Sequence, residues 1–351
     1  MNILPLLNKV SDTRQQSKVK YELRFIILFS ILAIISDANT IRKMTTYIKS
    51  NLALFKKVFH LKWDRSPGHS GLNKILKGID IQMLENAFRE SVSIPKDLII
   101  HIDGKALRGS AFKDIPFVQV LSAYGNNVVI AHEFIEENKT NEIPKAQKMI
   151  KELNLENVVY TFDAMHTQRE TLKDIKRSRC NVILQVKGNQ KTLLKACINR
   201  AAINTCKDKN IVEGISHGRN ESREVFVFNS FCSFDKRIKK DWKGIKQIIK
   251  VKRIRDNSVE ESFYISTMRK EAKYYQKVIR SHWEIENKEH YVRDVSLKED
   301  ASRIHIQPQI YAQLRSFAFN ILQKIRPKNV SITDFMYDLI FNPSTLIHAM
   351  T

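Results

Sequence analysis

Three short apolar runs, each followed by a turn, constrain the fold of this chain more than any other feature. They are DLIIHIDG at 97–104, NVVYTFDA at 157–164 and CNVILQVKGN at 180–189. Continuous apolar runs of this length are typical of buried strands. Helical patterns at 142–155 and 167–179 precede the second and third runs. This alternation predicts an α/β fold with helices packed on a mixed sheet.

The residue patterns outside these three runs predict the secondary structure of the rest of the chain. Residues 1–92 carry helical periodicity, and 116–125 with 127–135 read as a β-hairpin. Residues 190–267 interrupt the α/β alternation with antiparallel strand patterns, and helices return at 270–325. We therefore predict an N-terminal helical domain, a first core part, a β-rich insertion, a second core part and a C-terminal tail helix, at 1–94, 95–189, 190–268, 269–327 and 328–351.

The net charge points to a polyanionic partner. The chain has 59 Lys+Arg against 37 Asp+Glu, which gives a formal charge of +22. Such an excess favours nucleic acid as a partner over a membrane surface. The alternative is that AT-rich codon usage alone enriched the chain in lysine.

The cysteines and the apolar runs predict a cytoplasmic protein. Cys180, Cys197, Cys206 and Cys232 show neither a CxxC pair nor zinc-ligand spacing, which is typical of reduced thiols. The longest apolar run, 25–35, is shorter than the ~18 residues that a membrane span needs. The N-terminus shows no export signal, so we expect no membrane partner.

Two aspartates follow buried strands. Asp103 ends the run IIHID and Asp163 ends VVYTFD, so neighbouring strands would bring both carboxylates to one edge of the sheet. Two close carboxylates favour a hard divalent cation between them, above all Mg²⁺. A third carboxylate would complete a site for metal-assisted phosphoryl transfer. The alternative for either residue alone is a turn residue or a helix cap.

The stretch HWEIENKEH at 282–290 contains three glutamates and two histidines. On a helix, His282, Glu286 and His290 share one face, whereas Glu284 and Glu289 point elsewhere and are interpreted as ordinary helix surface. Zinc binding is an alternative, but the stretch lacks the HExxH order. The stretch by itself leaves open which of its glutamates, if any, would be the third carboxylate.

Six boxes, in order along the chain, resemble those of bacterial insertion-sequence transposases of the DDE type, in the ISAs-one-like branch of the IS-four superfamily. The region 20–80 also looks like the helical N-terminal domain of that branch. The boxes are IHIDGKALRGS (100–110), TFDAMHTQRE (161–170), LQVKGNQ (184–190), HGRNESRE (217–224), HWEIEN (282–287) and DVSLKEDASRIH (294–305).

This resemblance implies a ribonuclease-H-like core with a β-rich insertion before the last catalytic helix. Asp103, Asp163 and Glu286 would then bind Mg²⁺, with Mn²⁺ as the alternative ion, and no organic cofactor is implied. In the signature of the last helix, Arg293 occupies the basic position, whereas His282 stands at the arginine position and Ile279 at the tyrosine position.

Several residues near these boxes are candidates for contacts with DNA. The alternative for an individual residue is that it is an ordinary surface lysine, a helix cap or part of a solvated helix face. The candidates are Lys105, Arg108, His166, Lys187, Asn189, Gln190, His282 and Arg293. The basic run 235–256, which contains Trp242, is a further candidate for binding the DNA backbone.

The resulting hypothesis is a DNA transposase that cleaves strands at the ends of an insertion sequence and joins them to target DNA. Its partners would be terminal inverted repeats, target DNA and a second copy of the chain, as a homodimer on DNA. The alternatives are a ribonuclease-H-like nuclease or resolvase that nicks without joining, and a non-catalytic DNA-binding descendant.

Overall fold

The structure is a computed structural model that describes residues 3–114, 116–135, 142–203, 206–216, 219–229, 234–256, 258–348 and 350. The internal contacts divide the chain into two compact units, which we call unit 1 and unit 2. Unit 1 comprises Met1–Ser93, Gly104–Asn138 and Glu286–Thr351. Unit 2 comprises Ile94–Asp103 and Lys139–Ile285.

The strands of the described residues follow one another along most of the chain. They are β1 Ile99–Leu107, β2 Val118–Gly125, β3 Val128–Ile135, β4 Val159–Phe162, β5 Asn181–Val186, β6 Asp208–Ser216, β7 Arg219–Asn229, β8 Gln247–Arg255 and β9 Ser258–Ser266.

The helices fall mainly before the first strand, between the strands and after the last one. The first group is α1 Leu4–Leu7, α2 Leu23–Ile35, α3 Ile41–Ser50, α4 Leu52–Phe59, α5 His69–Lys77 and α6 Ile81–Glu90. The second is α7 Glu142–Leu153, α8 Arg169–Arg177, α9 Lys191–Ile203 and α10 Lys236–Asp241. The last is α11 Ala272–His282, α12 Tyr291–Val295, α13 Pro308–Ile325, α14 Ile332–Phe341 and α15 Pro343–His348.

Unit 2 is built on a mixed sheet with the strand order β1-β4-β5-β9-β8-β7-β6. β1, β4 and β5 are parallel neighbours, and every later pair is antiparallel. Helix α11 packs on β4, β6 and β7, while α8 packs on β5 and α9 on β9. Val159, Ile183 and Ile249 from the strands join Tyr275 and Val278 of α11 in one apolar cluster. The sheet therefore carries the core of unit 2.

Unit 1 is organised around two apolar helices and a hairpin. Almost every residue of α2 is buried, and α13 packs on α2, α6 and β3. Asn320 of α13 docks this helix on β3, because its side chain both accepts from and donates to the backbone of Val129 at 2.8 Å. In the β2–β3 hairpin, Asn126 and Asn127 both have positive φ, as tight hairpin turns require.

The mixed sheet, its flanking helices and the helical N-terminal region confirm the predicted α/β fold class. Three local expectations were wrong. β1 continues beyond Asp103 to Leu107, the strand β6 was missed, and the helix expected around 275–295 is broken by a π-helical segment, Ile285–His290. Among the described residues, no helix is both long and apolar enough to cross a membrane.

Candidate functional site

Asp103 on β1 and Asp163, the first residue after β4, come at corresponding positions of two neighbouring parallel strands. In the parallel pair of β1 and β4, Ile102 is opposite Phe162, so the next positions along the two strands are the two aspartates. Neighbouring strands lie about 4.8 Å apart, which brings the backbones of the two aspartates close together. Both residues are partly buried, and Oδ1 of Asp163 accepts a hydrogen bond from the Met165 amide at 3.1 Å.

A buried polar layer lies one step below these aspartates. His101 and Thr161 precede Asp103 and Asp163 by two residues, and are therefore on the same face of the sheet. Nδ1 of His101 lies 2.7 Å from Oγ1 of Thr161, which in turn lies 2.8 Å from Nδ1 of His282. Burial and the neighbouring His282 lower the pKa of His101 to about 3, so its imidazole is neutral at pH 7.

Helix α11 covers this same face of the sheet. Its Ile279 is buried in the cluster that contains Val159, and the helix ends at His282, whose side chain reaches Thr161. Ile279, where the resemblance implies a tyrosine, is therefore part of the core. His282, where the resemblance implies an arginine, is bonded to Thr161 of β4. The predicted contact of His282 with DNA stays a prediction.

Trp283, which the sequence reasoning did not single out, extends the site at the end of α11. Its ring is 46% exposed and lies 5.7 Å from the guanidinium of Arg223 and 5.3 Å from that of Arg253. These arginines are opposite each other on β7 and β8, and both bind Glu221, at 2.8 and 3.1 Å. The two guanidinium groups form cation–π contacts with the indole ring.

Glu286 is the exposed member of the three glutamates in HWEIENKEH. It lies on the π-helical segment Ile285–His290, a distortion that is frequent at functional sites. Glu284 is partly buried. Glu289 is fully buried and binds Arg293, so its interpretation as ordinary helix surface was wrong. Among the described residues, no group of three or more His, Cys, Asp or Glu side chains is arranged as a metal site.

Lys105 and Arg293, two candidates for DNA contacts, are instead buried in unit 1. The Lys105 ammonium donates to Asp294 and, at 2.8 Å, to Glu299. The Arg293 guanidinium donates to Glu289 at 2.6 Å and to Glu299 at 2.7 Å, and none of its side chain is exposed. Because these donors are already bound to carboxylates of unit 1, we do not retain either residue as a DNA contact.

Three further candidates make contacts within unit 2: His166 bonds to α7, whereas Asn189 and Gln190 join the loop after β5 to the loop after β4. Nε2 of His166, which is buried, lies 3.1 Å from Glu142. The side-chain amides of Asn189 and Gln190 donate to the backbone oxygens of Ala164 and Thr167, at 2.6 and 2.9 Å. These bonds fix the loop that carries Asp163. By contrast, the remaining candidates, Lys187 and Arg108, are exposed.

The structure divides the basic run 235–256 into two parts. The bases on α10 and in the turn after it are exposed, namely Lys236, Arg237, Lys240, Lys243 and Lys246. On β8 three bases are paired: Lys250 with Glu261 at 2.6 Å, and Arg253 and Arg255 with Glu221 at 3.1 and 2.6 Å. Trp242 is only 3% exposed and belongs to the core. The exposed part of this run, which we call the α10 basic patch, is the part available to a polyanion.

Replacing Thr161 with valine should destabilise the polar layer beneath the aspartates. The hydroxyl of Thr161 is buried and joins two imidazoles, so valine would leave both nitrogens without this partner. We expect a loss of about 1–3 kcal/mol in the free energy of unfolding, measured by urea denaturation. Thr46→Val, at an exposed position on α3, is the control, and we expect it to change stability by no more than about 0.5 kcal/mol. Equal effects of the two substitutions would contradict a structural role for the hydroxyl bridge.

A mixed sheet flanked by helices, with Asp103 on one parallel strand and Asp163 directly after its neighbour, is consistent with the ribonuclease-H-like class. Residues 95–321 match the Transposase DDE domain family, and residues 4–92 match the DDE_Tnp_1-associated family. The chain therefore belongs to the family of DDE transposases.

Curated relatives match over almost the whole chain. "Putative transposase YncI" of Escherichia coli O157:H7 is 31% identical over 346 residues, which cover 92% of this chain and 87% of the relative. "Putative protein YbfL" of Escherichia coli K12 is 27% identical over 349 residues, or 92% of this chain and 91% of the relative. "H repeat-associated putative transposase YhhI" of Escherichia coli K12 is 26% identical over 349 residues, which cover 92% of this chain and 91% of the relative. The resemblance seen in the sequence is thus confirmed at the level of the family.

Proposed function

We propose that this chain is a DNA transposase that cleaves DNA strands at the ends of an insertion sequence and joins them to target DNA. The observation that carries the proposal is the register of β1 and β4, because it makes neighbours of Asp103 and Asp163. Membership in the DDE transposase family supports DNA as the substrate.

Asp103, Asp163 and Glu286 would hold Mg²⁺, with Mn²⁺ as the alternative. The donor set fits a hard divalent ion, because all three groups offer carboxylate oxygens and the paired aspartates would repel each other without a cation. When bound, such an ion supplies charge neutralisation and an activated oxygen nucleophile for phosphoryl transfer. Because His101 is neutral and buried, it adds no competing positive charge beneath the carboxylates.

The residues around the aspartates would position the DNA. The bonds from Asn189 and Gln190 fix the loop after β4, so Asp163 keeps its direction as a strand approaches. The neighbouring Lys187 is exposed and would contact a phosphate, as would Arg108 in unit 1. The proposal includes a homodimer on DNA, which rests on the resemblance to the family.

The test is an assay with purified chain, Mg²⁺ and duplex DNA that carries the inverted repeats flanking its gene. Cleavage followed by joined products supports the proposal. Nicks without joining would replace it with a nuclease or resolvase, and binding without either would leave a non-catalytic DNA-binding protein. DNA with a scrambled repeat is the control for specificity.

The α10 basic patch should bind DNA backbone. The double variant Lys236→Ala/Lys240→Ala removes two exposed cations one helical turn apart. We expect affinity to fall about tenfold and the slope of log K against log salt to shrink by up to about 1.8, since each lost phosphate contact contributes about 0.9. Lys324→Ala/Lys328→Ala, which removes two exposed lysines near the end of α13, is the matched control. Fluorescence anisotropy at several salt concentrations measures both quantities, and equal losses for the two pairs would contradict the assignment.

A further inference from the structure

Strand β6 forms one edge of the sheet, and its outer side has no neighbouring strand among the described residues. It runs over nine residues, Asp208–Ser216, and its register with β7 is continuous from end to end. Edge strands are usually kept short or are interrupted by proline or a bulge, because their unpaired N–H and C=O groups can bind another strand. β6 contains neither a proline nor a break in register, so its backbone is open to the addition of a strand.

The middle of β6 is apolar and exposed to solvent. Ile211 is 47% exposed and Val212 is 44% exposed. Because successive side chains of a strand point to opposite faces, one large β-branched side chain lies on each face of this sheet edge. A long edge strand with exposed apolar side chains tends to pair with another chain.

The sequence of β6 is complementary to itself in an antiparallel pair. If two copies of β6 pair about a two-fold axis at Ile211, Lys209 of each copy is opposite Glu213 of the other. The two Ile211 side chains are then opposite each other, on the same face as both charge pairs. Opposite charges and β-branched residues that lie directly across from each other stabilise antiparallel strands, whereas like charges destabilise them. The charges of β6 therefore favour pairing with a second β6 in this register.

Both charged side chains of this register are accessible in the single chain. Glu213 is exposed, and the side chain of Lys209 is 39% exposed. The Lys209 ammonium lies 3.3 Å from Glu224 of β7 and 4.7 Å from the centre of the Phe226 ring. An ammonium has three N–H donors, so Lys209 can bind a carboxylate of a second copy without leaving Glu224.

Contacts with α11 hold β6 in place from the other face of the sheet. The carboxylate of Asp208 accepts a hydrogen bond from the backbone N–H of Ala272 at 2.6 Å, and the side-chain amide of Asn210 donates to Gln276. Both residues alternate with Lys209 and Ile211 along the strand, so they lie on the opposite face. Because β6 is already fixed in unit 2, a second strand does not have to order it first.

We propose that β6 pairs with β6 of a second copy of the chain, antiparallel and about a two-fold axis at Ile211. The sheets of the two copies then continue into each other, and the contact closes at two copies because each β6 edge is used once. The partner is recognised by backbone hydrogen bonds and by two Lys209–Glu213 ion pairs. The inference deepens the homodimer of the proposed function and rests on that function only for its use on DNA, because strand pairing needs neither DNA nor metal.

The test measures the dissociation constant of the dimer by sedimentation equilibrium of the full chain, in EDTA and without DNA. We expect the unsubstituted chain to form dimers. Lys209→Glu alone, or Glu213→Lys alone, places like charges opposite each other at two positions and should weaken the dimer about tenfold. An equimolar mixture of the two single variants restores opposite charges at both positions, and so does the double variant Lys209→Glu/Glu213→Lys. Both should regain the affinity of the unsubstituted chain.

Lys195→Glu and Glu156→Lys are the matched controls, because they make the same charge changes at exposed positions of unit 2 outside β6. We expect neither to change the dissociation constant, and recovery in the mixture also shows that each single variant keeps its fold. A chain that stays monomeric at every concentration overturns the proposal. So does a dimer that the β6 variants weaken no more than the controls, or a mixture that does not recover. A chain that dimerises through β6 but joins no strands would contradict the proposed function alone.

Discussion

Strand cleavage should fall by roughly 10³-fold or more when Asp103 or Asp163 is replaced by asparagine, because about 4 kcal/mol of transition-state stabilisation would be lost. The amide keeps the shape of the side chain but removes the negative charge that a divalent cation needs. DNA binding should remain within about twofold, since neither residue contributes positive charge. The measurements are a cleavage assay on terminal-repeat DNA and an anisotropy titration with the same DNA.

Glu286→Gln should cause a loss of similar size. Its matched control is Glu284→Gln, two residues earlier, which removes the same charge from a side chain outside the proposed metal site. Asp256→Asn, in the exposed turn between β8 and β9, is the control for the aspartate variants. Full cleavage by Asp103→Asn would remove that residue from the site, and equal losses in Glu284→Gln and Glu286→Gln would remove the reason for choosing Glu286.

The pairing of Asp103 with Asp163 was accessible from the sequence because both follow buried apolar runs. Continuous apolar strands of this kind have few alternative places in an α/β fold. The continuation of β1 through Asp103 to Leu107 was not accessible, since GKAL has no strand pattern of its own. β6 was missed for a related reason: DKNIVEGIS mixes polar residues with glycine, and its pairing with β7 defines it as a strand.

The burial of Lys105 shows where reasoning from neighbouring residues stops. When only its neighbours in sequence are considered, Lys105, two positions after Asp103, is interpreted as a residue that contacts phosphate. Its actual partners, Asp294 and Glu299, lie 189 and 194 residues away. Trp283 was overlooked in a similar way, because the arginines beside it come from two different strands of the insertion. Contacts of this kind depend on tertiary packing, which residue spacing does not report.

The largest loss of stability should come from Arg293→Met. This guanidinium has no exposed surface and bonds to Glu289 and Glu299, which are also buried. Removing one partner of a buried ion pair leaves the other charge uncompensated, at a cost of about 3–5 kcal/mol in the free energy of unfolding. Lys173→Met breaks the exposed pair with Glu170 and should cost no more than about 1 kcal/mol. Urea denaturation at pH 7 measures both.

The pH dependence provides a second test of the same ion-pair network. Burial acts to raise the pKa of Glu299, but Arg293 and Lys105 together outweigh it and hold this pKa well below its usual value. In the unsubstituted chain, this contribution to stability is fully present above the unfolded pKa of about 4.3 and is lost only as the pH falls below that value. Without Arg293, burial is opposed only by Lys105 and Arg315, so the pKa of Glu299 rises and its carboxylate takes up a proton at a higher pH than in the unsubstituted chain.

The loss in the free energy of unfolding caused by Arg293→Met should therefore be smaller at pH 5 than at pH 7, because protonation of Glu299 removes part of the uncompensated negative charge. Lys173→Met should show no such change, since both partners of its pair are exposed. Arg293→Lys is the most informative companion variant. It keeps a positive charge but cannot bind Glu289 and Glu299 with a planar fork, so we expect an intermediate loss. If Arg293→Met lowers the free energy of unfolding no more than Lys173→Met does, the buried charges reach water, and the structural role of the ion pairs of Arg293 with Glu289 and Glu299 fails.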